Sequence, residues 1–233
     1  MKNTTIVILT LCSLTILSYS QASTSDIHGN IINNVILNVY MKHSSSNYPS
    51  EEIKKLAAGE RYRASGLHQI FLGRDYRRLW IEPVEAETLD INTEAGGLTP
   101  AMTVGGHQTL GLALRGEDGL AYTFRGIDKD PTATLPPELE GTIADRVVQD
   151  QISSSHPASP LVVEPLMEAA DILHTKVRFV VMPDDPALGE FRNEFAGVLG
   201  TFQEYPLPIS NTNPGFAGAT EILDHLEMWT RLI

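Results

Sequence analysis

Residues Thr109–Ile127 read TLGLALRGEDGLAYTFRGI. Leu110, Leu112 and Leu114 alternate along one arm, and Leu120, Tyr122 and Phe124 alternate along the other, with Ala121 and Thr123 between them. Successive side chains of a strand point to opposite faces, so each triplet lies on one side of a sheet. Gly116-Glu117-Asp118-Gly119 sits between the arms, and its Asp-Gly pair is a strong hairpin signal. The stretch therefore predicts two antiparallel strands with one apolar face, and the fold grows outward from them.

On the N-terminal side, Ala95–Thr109 (AGGLTPAMTVGGHQT) is uncharged and rich in glycine, and it predicts a loop. Ile81–Ile91 reads as extended chain. Gly66–Trp80 (GLHQIFLGRDYRRLW) predicts one helix, because Leu67, Ile70, Phe71, Tyr76, Leu79 and Trp80 recur at three- and four-residue steps. Ser50–Glu60 (SEEIKKLAAGE) predicts another, capped by Ser50, with Glu51 and Glu52 in its first turn.

On the C-terminal side, Asp128–Gly141 is a loop. Thr142 and Asp145 have capping-box spacing ahead of a helix whose apolar face is Ile143, Val147, Val148 and Ile152. Gln149, Asp150 and Gln151 fall on its polar side, with Asp150 at the edge. HPASP ends that helix, and Leu161–Leu173 predicts the next, with Pro165 in its first turn or kinking it. Val177–Met182 is a continuous apolar run, the pattern of a strand buried on both faces. Leu188, Phe191, Phe195 and Val198 are spaced for a short helix, Gly200–Pro208 for extended chain, and Thr220–Ile233 for an amphipathic helix. The fold class is α+β. A small antiparallel meander, residues 85–125 with 177–182 and 200–205, packs against several helices.

The chain opens MKNTTIVILTLCSLTILSYSQAS, with Lys2 before an apolar run from Ile6 to Leu17 and small residues at Ser18, Ser20 and Ala22. That order predicts a secretory signal peptide over residues 1–22 and a protein exported to the periplasm or the outer membrane. The run is shorter than the ~20 residues of a spanning helix, so no transmembrane helix is expected in the mature chain. Cleavage removes Cys12, the single cysteine, leaving a thiol-free mature fold. The remaining organisation reads as a polar extension with a first helix (23–59), the α+β module (60–210), and the start of a truncated C-terminal region (211–233). With 17 Lys and Arg against 29 Asp and Glu, the net charge of −12 excludes nucleic acid as an expected partner and disfavours anionic membrane surfaces.

The chain contains no G-x-S-x-G elbow, no G-x-x-x-x-G-K-[ST] loop and no H-E-x-x-H, so no catalytic residue is assigned. Gly96, Gly97, Gly105 and Gly106 are candidates for cradling a phosphate, because backbone N–H groups approach closely where no Cβ intervenes. Arg125 would contact that phosphate, and Asp145 or Asp150 would orient Arg125. A strand, a glycine turn and two further strands ending in a cation is how kinase N-terminal lobes cover ATP, and Mg-ATP is the cofactor this reading implies. The alternative is a glycine loop on a meander with Arg125 paired at the surface. Asp128 and Asp130, and Asp184 and Asp185, could serve a divalent cation through hard oxygens. Asp-Pro pairs also initiate turns, and no metal site is assigned. His68, His107, His156 and His174 read as solvated or hydrogen-bonded side chains.

GLHQIFLGRDYRRLW, AGGLTPAMTVGGHQT, YTFRGIDKDP, QDQISSSHP and VVMPDDPALGEFRNEFAGVLG together resemble a module of large bacterial envelope proteins. In those proteins it is often joined to a calcineurin-like metallophosphoesterase domain and to an outer-membrane β-barrel of the surface-antigen type. The likeness covers residues 60–225. The module also resembles the N-terminal lobe of atypical protein kinases, in which a lysine stands where this chain has Arg125. The resemblance implies an exported docking or scaffolding domain, non-catalytic alone, whose partner is an envelope protein or missing C-terminal domains. Its alternatives are a truncated kinase-like nucleotide- or phosphate-binding lobe, or an accessory domain of a metallophosphoesterase–barrel fusion.

Overall fold

The computed structural model describes residues 6–7, 53–74, 76–105 and 108–232. The predicted signal peptide, the polar extension and Gly106 otherwise lie outside them. The described strands are β1 (Ile6–Val7), β2 (Ile53–Ala57), β3 (Pro83–Thr88), β4 (Leu98–Thr103), β5 (Thr109–Gly116), β6 (Ala121–Lys129), β7 (Val177–Val181), β8 (Leu199–Glu204) and β9 (Ile222–Leu223). The helices are α1 (Gly66–Leu72), α2 (Arg77–Ile81), α3 (Ile143–Gln151), α4 (Ser159–Ala169), α5 (Arg192–Phe195) and α6 (His225–Leu232).

Seven strands form one sheet in the order β2-β3-β7-β8-β6-β5-β4, and β1 pairs separately with β9. Every pairing in the large sheet is antiparallel except β3 with β7. The chain is thus α+β, as its patterning predicts, with a larger sheet than a meander alone. The hairpin of β5 and β6 forms as its alternation requires, with Leu112 opposite Phe124 and Arg115 opposite Ala121.

Both faces of the sheet are covered. Val180 and Val181 are adjacent in β7 and both fully buried, yet they belong to different cores. Val180 joins Leu112, Leu114, Phe124, Phe195 and Phe202 on one face. Val181 joins Tyr62, Trp80, Ala86, Ile127 and Leu199 on the other. A strand with no solvent face needs no polar alternation, which is why its sequence is a continuous apolar run.

Six local expectations are corrected. The helix from Ser50 is a strand where it is described: β2 pairs along its whole length with β3, placing Lys55 opposite Glu85. Pairing with a formed sheet outweighs the helix preference of so short a segment. The single helix over residues 66–80 is two, because Gly73 takes φ 87° and ends α1. The glycine-rich loop contains a strand, β4, paired with β5. Thr142 precedes α3 but makes no side-chain cap; its hydroxyl donates to the Leu139 carbonyl, and Asp145 instead accepts from the Gly141 amide. Ile143, expected on the buried face of α3, is exposed. The C-terminal helix is shorter than expected, with β9 replacing its first turn.

Candidate functional site

β4 separates the glycines read as one phosphate loop. Gly96 and Gly97 precede it and lie against the side chain of Glu117 at the hairpin turn, while Gly105 follows its far end. Six extended residues span about 20 Å, so the two sites cannot hold one phosphate. At the Gly105 end an open cleft of about 290 Å³ is bordered by Thr103, Val104, Thr109, Gly111 and the acidic Glu194. A carboxylate there repels an anion.

Arg125 does not border that cleft. Its neighbour Phe124 meets Phe195 edge-on, with ring centroids 6.2 Å apart, so α5 and Glu194 lie on Phe124's side of the sheet. Arg125 projects from the other side. It is half-buried and, among the described residues, makes no side-chain hydrogen bond or ion pair. Neither Asp145 nor Asp150 reaches it.

Asp150 instead binds Arg77. The guanidinium donates from Nη1 to Oδ1 at 2.6 Å and from Nη2 to Oδ2 at 2.5 Å, a bidentate fork. The Arg77 side chain is 4% exposed and that of Asp150 12%. His68 Nε2 lies 3.1 Å from the same Oδ1. Burial alone would push the Asp150 carboxyl up, but the hydrogen bond and charge of Arg77, aided by His68, hold it below its ordinary value. Arg77 also donates to the carbonyls of Gly73 (3.0 Å) and Leu72 (3.4 Å), the unsatisfied end of α1.

A second polar network lies one helix position away. Tyr62 donates to Asp128 at 2.6 Å, Arg61 pairs with Asp128 at 2.7 Å, and Gln149 donates to the Tyr62 hydroxyl and to the Lys129 carbonyl. Asp130 accepts from the Thr132 amide, the geometry of an Asx turn. Asp184 pairs with Arg192, and Asp185 caps the turn at Ala187. The Asp pairs therefore serve ion pairs and turns. Among the described residues, no three His, Cys, Asp or Glu side chains are grouped to hold a metal.

These networks join the segments GLHQIFLGRDYRRLW, YTFRGIDKDP and QDQISSSHP. Trp80 reinforces the junction: it packs on Tyr62 at 4.7 Å and its indole donates to the Ser155 carbonyl at 2.8 Å. One face of α1 is thereby fixed. The other shows Leu67, Ile70 and Phe71, which are 69%, 78% and 80% exposed. The three- and four-residue spacing that marks a buried helix face is here a solvent-facing stripe. Sequence reading placed Asp150 at the edge of its helix but missed Arg77, because nothing in the pattern distinguishes a buried arginine from its neighbours Arg74 and Arg78.

No protein-family model matches the chain, and comparison with curated proteins and with solved structures returned no match. Among the described residues, no helix is long and apolar enough to cross a membrane.

Proposed function

We propose that the chain is a non-catalytic docking module of the bacterial envelope, with α1 as its docking element. The supporting observation is the contrast between the two sides of α1. Three large apolar side chains stand in solvent on a helix whose opposite side is tied down by Arg77 and by the contact of His68 with Asp150. A fluctuating segment loses entropy when it binds, whereas a helix already held in place presents its stripe with that entropy lost on folding. Exposed apolar patches of this kind mark interaction surfaces. The partner class is an envelope protein such as a phosphoesterase or an outer-membrane barrel. Cell fractionation tests the reading. The wild-type chain is expected in the envelope fraction, and L67S/I70S/F71S in the soluble exported fraction with unchanged folding. Equal partition of the two would remove the reading.

A second reading, phosphate or nucleotide binding, rests on one observation. Among the described residues Arg125 is half-buried and makes no side-chain hydrogen bond or ion pair, and the backbone approaches closely beside it: a Cβ at Gly111, which pairs with Arg125, would collide with the Val104 carbonyl oxygen. An arginine fork suits a phosphate. Calorimetric titration of the mature chain with Mg-ATP decides it, and absence of heat from folded protein at millimolar ligand rejects it.

A further inference from the structure

The α1 stripe has a counterpart in the C-terminal helix. α6 exposes Leu226, Trp229 and Leu232, again along one side of a helix. The charges around the two stripes are opposite. Residues 60–78 carry five arginines, of which Arg61, Arg63 and Arg77 are paired within the chain with Asp128, Glu60 and Asp150, leaving Arg74 and Arg78 to border the stripe. Of these arginines, Arg74 lies just past Gly73 at the end of α1, is exposed, and makes no ion pair among the described residues. Around α6 stand Glu221, Asp224 and Glu227, against the lone cation Arg231, which is spent on Glu221 at 2.6 Å and Glu227 at 3.4 Å. One stripe is apolar with a basic border, and the other is apolar with an acidic border.

Resting on the docking reading, we infer that the α1 stripe receives α6 from a second copy of this chain. Both stripes stay solvent-exposed within one copy, so a monomer leaves each unsatisfied. A two-fold pair satisfies both at once, since each copy offers one α1 and one α6 and the two contacts are equivalent. Leu226 and Trp229 meet Ile70 and Phe71, and Glu227 faces Arg74. The acidic remainder of the surface opposes association in any other orientation, so the opposite borders also fix the register.

Sedimentation equilibrium of the full chain tests this with two charge reversals, Arg74→Glu and Glu227→Arg. The wild type is expected to dimerise, and each variant alone to associate at least about tenfold more weakly, because like charges then face each other in both contacts. An equimolar mixture of the two variants restores dimerisation, since every contact in the mixed pair again joins opposite charges. A wild type that stays monomeric, or variants that dimerise as well as the wild type, would overturn the inference. A monomer that binds phosphatidylglycerol vesicles through Leu67, Ile70 and Phe71 would also overturn it, and would assign the stripe to a membrane. Docking itself is judged separately, by the fractionation of L67S/I70S/F71S, so either can fail while the other stands.

Discussion

Asp150 at the C-terminal end of α3 accepts both arms of the buried Arg77 guanidinium, and the same guanidinium donates to the last carbonyls of α1. One carboxylate thereby sets the position of a helix more than seventy residues earlier in the chain. The segments around α1, α3 and the end of β6 are held in register by this fork and by the neighbouring Tyr62–Asp128 pair.

Replacing Asp150 by Ala leaves Arg77 charged and buried. Removing one partner of a buried pair costs about 3–5 kcal/mol, because the other is left without compensation. Thermal unfolding followed by circular dichroism should show a loss of that order. Arg77→Met paired with Asp150→Leu should recover most of it, since an apolar pair of similar volume removes the unpaired charge.

The same pair makes stability depend on acid. The folded-state value of Asp150 lies below its ordinary 3.8, so its contribution is complete above that value and is lost as pH falls through the folded one. Denaturant midpoints measured from pH 6 downward should fall more steeply for the wild type than for D150N, whose side chain does not titrate.

Alkaline pH acts through the tyrosines. Burial, reinforced by the hydrogen bond to Asp128, raises Tyr62 well above its ordinary 10.0, and burial with the bond to Asp118 does the same for Tyr122. Their contribution is full below the unfolded value of 10.0 and is lost as pH rises past it toward the folded one. Two of the seven tyrosines should therefore withhold their tyrosinate absorbance until the chain unfolds.

The neighbours Thr123 and Arg125 should respond differently to substitution. The Thr123 hydroxyl is buried without a hydrogen-bond partner among the described residues, in a residue 1% exposed. Thr123→Val removes that desolvated group at nearly constant shape and should stabilise the fold by about 1 kcal/mol. Arg125→Met removes no ion pair or hydrogen bond among the described residues and should shift stability by no more than about 0.5 kcal/mol. Chemical denaturation of the two variants checks both signs.

The sheet was legible wherever period-two alternation or an unbroken apolar run met a clear turn, as in β5, β6, β7 and β8. It was not legible at β2, where Ser50 followed by Glu51 and Glu52 reads as a helix start until Ala86 and Glu85 of β3 are placed opposite Lys54 and Lys55. β4 was hidden by its glycines, which mark its two ends. The candidate site was legible only in pieces. Asp150 drew notice from its helix position, but its choice of Arg77 over Arg125 depends on which face each strand residue takes. The apolar spacing of Leu67, Ile70 and Phe71 was visible, and its direction was not, because periodicity locates a face without saying what covers it.

The central claim is that α1 meets a partner through that face. Photo-crosslinking in living cells tests it most directly, with a benzophenone side chain at position 70 and, as a control, at exposed position 115 on β5. A discrete crosslinked species from position 70, missing from position 115, is the predicted result. No adduct at position 70, or equal adducts at both, would contradict it.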